Sequence, residues 1–391
     1  QNAYEAYIVG GCVRDMLRGH KPNDWDIATS ATPAQVKQIF ARTYDTGIAH
    51  GTVTVIINKD HFEVTTYRTE GEYTDHRRPN DVTFVTDIYE DLSRRDFTMN
   101  AIAFNPRSGY IDPYDGQADI NNRIIRCVRN ASERFLEDAL RILRAVRFAA
   151  QLNFTIDDVT MQNIYKLNHL LAYISKERIR DEFTKICLAK STEGLIIIQK
   201  LELAKYISKY LEPICASENY SQIINTISKL EPDVVTRYSA LLIQFADIAQ
   251  PFMKDLKWDN KTIKNVNLIV QHYPYLGPEN AGQQPVDLVA INIYKRVIKK
   301  LLYHMGPELF DKYLNLKSVS KSVEVAKQLK AEIIDNNECY NLKMLAITGD
   351  DLIAAGTPKG ASVGDKLQFA LDYVMTYPAK NDKQHLLNLL Q

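Results

Sequence analysis

Paired cysteines, a net charge and long apolar runs are all missing from this chain of 391 residues. The five cysteines, Cys12, Cys127, Cys187, Cys215 and Cys339, are far apart and odd in number. None forms a Cys-x-x-Cys, which argues against a zinc site; buried free thiols in a reducing compartment are expected instead. Lys plus Arg and Asp plus Glu both total 48. No global charge therefore recommends a nucleic-acid partner, and any such case must come from local patches. No apolar run approaches the ~20 residues of a membrane span. The opening Gln1-Asn2-Ala3-Tyr4 carries no secretory pattern, so a cytoplasmic location is expected, and a start without methionine fits a trimmed N-terminus. None of the eight histidines is followed by aspartate, so a His-Asp metal phosphohydrolase is not indicated. There is no repeat of fixed period and no low-complexity tract. What remains is 45% hydrophobic and 25% charged, the composition of a well-cored globular protein of about two to four domains.

The first third reads as strands mixed with short helices. Tyr7-Ile8-Val9 is a short apolar run ending in Gly10-Gly11, with a helical stretch from Val13 to Arg18. Trp25 to Ala28 reads as a strand. Thr32-Pro33 caps and opens a helix through Phe40, with Pro33 at its first position. Thr52 to Ile57 and Phe62 to Arg68 are β-rich and joined by Asn58-Lys59-Asp60-His61, a hairpin signal. Met99 to Phe104 is a further strand candidate before an Asn105-Pro106 turn. From about Asn130 the apolar residues Leu136, Leu140, Leu143, Val146 and Phe148 fall at helical spacing, and Val323 to Ile334 is helical in pattern. A small mixed α/β head followed by a long helical remainder, an α+β chain, is expected.

Asp24 and Asp26 flank Trp25. Residues two apart on a strand share a face, so the two carboxylates can share a hard cation. Mg²⁺ is commonly held by one or two carboxylates plus substrate phosphates, and two such ions clamp the attacking and leaving oxygens of a phosphoryl transfer. Glu63, on the second arm of the hairpin, is a candidate third carboxylate. A solvated strand end is the competing reading, and an isolated Asp-x-Asp would favour it. The context changes the balance. Gly10-Gly11-Cys12-Val13-Arg14-Asp15 places two glycines between a strand and a helix, where phosphate oxygens can reach backbone N–H groups. Arg14 in the first turn can neutralise a triphosphate. Together these form a nucleotide-polymerase head resembling the DNA polymerase β superfamily of nucleotidyltransferases.

The resemblance extends further. Val9 to Asp15, Asp24-Trp25-Asp26-Ile27-Ala28-Thr29, Arg94-Arg95-Asp96-Phe97-Thr98-Met99-Asn100-Ala101, Glu137-Asp138-Ala139-Leu140-Arg141 and Ser175-Lys176-Glu177-Arg178-Ile179 resemble, in order and spacing, five motifs of class II tRNA nucleotidyltransferases, in the poly(A) polymerase and tRNA nucleotidyltransferase family. The second half is similar only in general character and near Gly349-Asp350-Asp351-Leu352. The resemblance implies a seahorse-shaped molecule with a catalytic head (1–125), a nucleotide-selecting neck (126–190), a body (191–290) and a tRNA-binding tail (291–391). It implies Asp24 and Asp26 as metal ligands. Gly10, Gly11, Arg14, Arg95, Asp96 and Asn100 become contacts to the incoming nucleotide, and Asp138, Arg141, Arg144 and Arg147 the neck residues that meet it. CTP, ATP and tRNA are the implied substrates.

Asp138 and Arg141, three apart, are expected on one face of an amphipathic helix, with Arg144 and Arg147 continuing that side. An i,i+3 ion pair on a solvated face is the bland alternative. Hydrogen-bond types give the motif a chemical meaning. Cytosine and adenine each carry an exocyclic amine beside a ring-nitrogen acceptor, which a carboxylate and a guanidinium match. Uracil and guanine present a carbonyl there, and two acceptors would oppose each other. A site built on hydrogen bonds can reject such analogues by as much as ~10⁴–10⁵.

Arg94-Arg95-Asp96 could grip ribose and phosphate, or be a charged strand edge. The polar stretch Glu70 to Asp91, with Arg77-Arg78-Pro79, reads as a mobile loop; the resemblance links such a loop to the switch from C to A addition, and its presence argues against a CC-only enzyme. Arg123, Arg126, Arg129 and Arg134 make the head–neck junction basic, which suits an RNA backbone as well as ordinary surface charge. Lys359-Gly360 before Ser362-Val363-Gly364 is a loop or an RNA contact. Stepwise CCA addition is the function expected. A-only addition, poly(A) synthesis and a catalytically silent RNA-binding scaffold remain open.

Overall fold

The computed structural model describes residues 4–22, 24–71, 82–275 and 288–390. The chain divides into two compact units, 1–217 and 218–391. The first begins with a small mixed sheet and continues in helices, the α+β arrangement expected.

The sheet is built from β1 (Ala6–Val9), β2 (Asp26–Thr29), β3 (Thr43–Gly47), β4 (Thr52–Ile57) and β5 (Asp60–Thr66). A separate two-stranded ribbon follows, β6 (Arg68–Glu70) with β7 (Val82–Phe84), and the main sheet ends with β8 (Ala103–Asn105) and β9 (Gly109–Ile111). Its order is β3-β4-β5-β2-β1-β8-β9. All pairs are antiparallel except β2 with β5, whose parallel register sets Asp26 beside Glu63. Helix α1 (Gly11–Leu17) leaves β1, and α2 (Pro33–Ile39) leaves β2. The second keeps the expected Thr32 cap with Pro33 in the first turn, and Gln35 completes a capping box in which it and Thr32 satisfy each other's end groups. Two buried clusters fix the sheet, one of Val9, Ala28, Tyr67, Ile88, Leu92 and Ala103, the other of Ala31, Val36, Val53, Val55 and Val64.

The hairpin between β4 and β5 turns on Asn58 and Lys59 alone, both at positive φ. That is the geometry whose twist matches paired strands, so Asp60 and His61 belong to the strand rather than the turn. The expected strand from Met99 is shorter. Thr98–Asn100 is a 3-10 turn, and β8 starts only at Ala103. The stretch from Glu70 to Asp91 is not all loop either. Its ends form the ribbon strands and most of α3 (Ile88–Ser93), in which Asp91 is completely buried. Residues 72–81, with Arg77-Arg78-Pro79, lie outside the described residues.

After α4 (Gly116–Asn122), the helical part opens with α5 (Ala131–Glu137), α6 (Leu140–Leu152), α7 (Asp158–Leu167) and α8 (Lys176–Cys187). Helix α6 buries Leu140, Ile142, Leu143, Val146 and Ala149 and packs against α8. The second unit is helical throughout its described residues. Its longest helix, Leu288–Ser318, bends at Gly306 (φ 73°) where Pro307 removes a backbone donor. Lys299 on that helix is 1% exposed and pairs with Glu338 at 2.7 Å. No helix among the described residues is long and apolar enough to cross a membrane.

Candidate active site

A cleft of about 800 Å³ opens between the sheet and the helices α6 and α8. Its wall includes Gly10 and Gly11 after β1, Asp24 and Asp26 at the start of β2, Arg94 to Asp96 after α3, and Asp138 to Arg147 on the α5–α6 segment. All the residues expected to contact nucleotide or metal line it, except Glu63. Glu63 is exposed beside Asp26 in register, and it is not part of the cleft wall.

Gly10 sits at φ 75°, ψ −132°, a conformation that essentially only glycine adopts. A Cβ there would lie 2.8 Å from Nη1 of Arg95, so the missing side chain also gives Arg95 its place. Arg14, midway along α1 and in its last turn, is buried. It donates to the Asn100 side-chain oxygen at 2.8 Å and to Asp15 at 3.0 Å. The Asn100 amide in turn donates to Asp96 at 3.1 Å. This network is why the backbone makes a 3-10 turn at Thr98–Asn100: the turn carries Asn100 inward to two charged partners.

The strand of the Asp pair begins one residue later than its sequence suggests, so Asp24 precedes the strand and Asp26 opens it. Both face the cleft. The Asp26 carboxyl is pushed above the usual range, first by desolvation and then by the charge of Asp24, against the pull of Arg95. A carboxyl whose ionisation is disfavoured by burial and by a neighbouring aspartate belongs to a donor set that a cation would relieve. Among the described residues no group of three metal-ligating side chains exists. Two carboxylates side by side are a donor set for an ion that completes its shell with phosphates and water.

Eight arginines and four aspartates line the cleft, a local concentration of guanidinium groups in a chain of zero net charge. These arginines are not loose. Asp91 takes Arg94 at 2.7 Å and Arg95 at 3.1 Å. Glu137 takes Arg141 at 2.5 Å, and Glu182 takes Arg147 at 3.2 Å. Asp96 accepts from Arg144 Nε and Nη2 at 2.8 and 2.5 Å. Phe148 is buried beneath Arg14, Arg144 and Arg147, whose guanidinium carbons stand 5.3, 5.5 and 4.3 Å from its ring. A carboxylate behind Arg94, Arg95, Arg141, Arg144 and Arg147 fixes the direction of each guanidinium before any ligand arrives, which lowers the ordering cost of binding.

Asp96 lines the cleft, yet protein donors already satisfy it: Phe97 N–H, the Asn100 amide and both Arg144 nitrogens. Burial pushes its carboxyl up, but Arg144 and Asn100 outweigh that and hold it at about 2. These bonds tie it to Arg144 and Asn100.

Asp138 and Arg141 do not share a helix face. Asp138 is an extended residue (φ −136°, ψ 102°) in the break between α5 and α6, because its carboxylate accepts the Leu140 N–H at 3.1 Å and ends the first helix there. Nor do the two pair with each other. Arg141 is tied to Glu137 and to the Arg94 and Arg134 carbonyls at 3.1 Å. Asp138 pairs with Arg178 at 2.8 Å. Sequence spacing alone missed Arg178, Asp91 and Glu182. A signal existed for two of them: Arg178 lies inside the fifth motif, and Asp91 precedes Arg95 by one helical turn. The junction arginines are partly committed too: Arg126 pairs with Asp119 and Asp157, and Arg134 with Glu137.

Comparison with known proteins bears directly on this cleft. A model of the poly A polymerase head domain matches residues 6–126. A probable RNA-binding site of polymerase A matches 153–215, and a putative second domain of tRNA nucleotidyltransferases matches 233–390. The CCA-adding enzyme of Lactobacillus delbrueckii subsp. bulgaricus is 36% identical over 99% of this chain and 93% of its own. The chain belongs to the CCA-adding family of tRNA nucleotidyltransferases. The CCA-adding enzyme of Listeria monocytogenes is 37% identical over 95% of this chain and 89% of its own. The crystal structure of the Bacillus stearothermophilus CCA-adding enzyme in complex with CTP covers 100% of this chain and 93% of its own, with a TM-score of 0.82 at 31% identity. CCA-adding enzymes are nucleotidyltransferases that generally depend on a divalent metal.

Proposed function

We propose that this chain adds C, C and A in turn to the 3′ end of tRNA, taking CMP and AMP from CTP and ATP and releasing pyrophosphate. The observation that carries this is full-length similarity to CCA-adding enzymes together with one cleft holding the Asp24/Asp26 pair and the Asp138/Arg141 pair. In this reading Asp24 and Asp26 hold magnesium. When bound, such ions lower the pKa of the primer 3′-hydroxyl and hold the triphosphate. Gly10, Gly11, Arg14 and Arg95 orient the phosphates, and Asp96 and Asn100 keep Arg144 and Arg14 in place. Asp138 accepts from the amine of cytosine or adenine while Arg141 donates to the ring nitrogen, so protein side chains replace a template. Residues 1–125 form the head, 126–190 the neck, 191–290 the body and 291–391 the tail that binds tRNA. A cytoplasmic location fits this reading.

Three primers test this: tRNA lacking CCA, tRNA ending in CC, and an unrelated RNA. Full CCA on the first and a single A on the second is the expected product pattern. Extension of only the CC-ended primer would mean A-only addition, long A tails on unrelated RNA a poly(A) polymerase, and no pyrophosphate release a silent scaffold. The templating assignment has its own test in Asp138→Ala. It removes the acceptor for the amines of C and A and the repulsion of the carbonyls of U and G. Use of CTP and ATP should fall, and relative use of UTP and GTP should rise, by about 1–3 kcal/mol in single-turnover discrimination. Equal slowing with all four nucleotides would give Asp138 a structural role only.

A further inference from the structure

Arg178 has no assigned part in the reaction, yet it makes the closest contact to the carboxylate proposed to read the base. It reaches across from α8, 40 residues further along the chain, and grips Asp138 with two parallel bonds. Nη2 donates to Oδ2 at 2.8 Å and Nη1 to Oδ1 at 3.3 Å. Both side chains line the cleft and neither is deeply buried, with 27% and 17% of their surface exposed. Asp138 has little else to hold it. It lies in the gap between two helices, and among the described residues its one other hydrogen bond is the one that Oδ1 accepts from the Leu140 N–H at 3.1 Å.

The acceptor count gives this clamp a meaning. An ionised carboxylate offers about four lone-pair positions. Leu140 and Arg178 fill three of them, two on Oδ1 and one on Oδ2, and one position on Oδ2 is left. A single N–H from an exocyclic amine fills that position; a carbonyl oxygen brought there meets an acceptor. Asp96 is the contrast within the same cleft, since four protein donors leave it no position to offer.

We infer that Arg178 is a positioning residue for base selection: its bidentate grip fixes the plane of the Asp138 carboxylate so that one acceptor position faces the incoming base. The inference rests on the proposed reading role of Asp138. Without the grip, the carboxylate pivots about its single backbone bond. It can then turn away from the carbonyl of uracil or guanine, and it meets the amine of cytosine or adenine less often. Geometry, and not charge alone, makes the difference. A planar guanidinium can hold both oxygens at once, whereas an ammonium is a point donor.

The test is single-turnover incorporation of CTP, ATP, UTP and GTP on tRNA lacking CCA and on tRNA ending in CC. The proteins compared are the full chain, Arg178→Ala, Arg178→Lys and, in parallel, Asp138→Ala. Arg178→Ala should lower the preference for CTP and ATP over UTP and GTP by roughly tenfold to a hundredfold, the range of one bidentate contact. Arg178→Lys should recover less than half of that loss on a logarithmic scale. Unfolding temperature and tRNA affinity monitor folding. If Arg178→Ala does not fold, Arg178→Lys alone decides, by whether its discrimination falls.

Equal slowing with all four nucleotides in the Arg178 variants, while Asp138→Ala relaxes selection, would overturn the role of Arg178 and leave the reading by Asp138 intact. Lower KM for CTP and ATP with selection retained would also overturn it, since that is the behaviour of a lock that nucleotide must displace. Unchanged discrimination in Asp138→Ala would remove the reading role itself.

Discussion

Replacing Asp96 by asparagine measures how much of this cleft is held in place by carboxylates behind its arginines. Asp96 is 8% exposed and receives four donors, two of them from Arg144. Its carboxyl is held at about 2 in the folded protein, against about 3.9 in an unfolded chain. The folded form binds the proton more weakly. The group's contribution is therefore fully present above about pH 4 and is lost as pH falls towards about 2. At about 1.4 kcal/mol per tenfold change in proton affinity, the difference is worth about 2–3 kcal/mol. Asparagine adds a second cost, because its amide turns a donor towards donors and Arg144 loses its counter-charge. Breaking a buried pair from one side costs about 3–5 kcal/mol, and that is the loss expected for Asp96→Asn at pH 7. Urea unfolding followed by Trp25 fluorescence reads it. The chain has two tryptophans, and a Trp258→Phe background leaves the signal to the N-terminal unit. Because the wild type gives up its own share in acid, the gap between the two proteins should narrow below pH 4. A gap under about 1 kcal/mol at pH 7, or one that stays constant down to pH 2, would refute the clamp, since the pair would then be worth no more than a surface ion pair.

Asp24→Ala and Asp26→Ala should each abolish addition of both C and A while tRNA binding, measured by filter retention, stays within about threefold; turnover at saturating magnesium with either variant would remove the metal assignment. Gly10→Ala should destabilise the N-terminal unit by about 1–3 kcal/mol, from a side chain at φ 75°. It should also lower the rate with both nucleotides, because the new Cβ displaces Arg95. Wild-type kinetics in that variant would mean that Arg95 does not need its present position.

The parts of this molecule legible in the sequence are those written over a few consecutive residues. Thr32 and Pro33 announce the start of α2, and the β-rich run from Thr52 to Ile57 announces β4, because caps and strand composition are local. The order of cleft-lining segments was legible for the same reason, as five short motifs. The misreadings share a different cause. Met99 to Phe104 has strand composition, but Asn100 is drawn inward by Asp96 and Arg14, and a ligand 86 residues away is not visible locally. Asp91 sits in a polar stretch that reads as loop, yet its charge is buried against two arginines. Asp138 and Arg141 have helical spacing, yet the bond from Leu140 breaks the helix between them. In each case a carboxylate chose its partner through the tertiary structure, which overrides spacing.

In the proposed reading, that choice lets a chain of zero net charge hold a triphosphate and still tell bases apart. If the cleft arginines were countered only by solvent, they would attract phosphate from many directions and offer no fixed geometry. Asp91, Asp96, Glu137 and Glu182 each hold one or two of them at a set angle, so attraction and aim come together. The same arrangement leaves two places in the cleft where negative charge is not used up. At Asp26, burial and the charge of Asp24 push the carboxyl up against the pull of Arg95, and such a pair suits a metal ion. At Asp138 one acceptor position is left after Arg178 and Leu140 are counted, which suits a single amine. Asp96→Asn should therefore cost stability, and Asp138→Ala should cost selectivity with little loss of stability. Were the two variants to behave alike, the division of these carboxylates into holders and readers would be wrong.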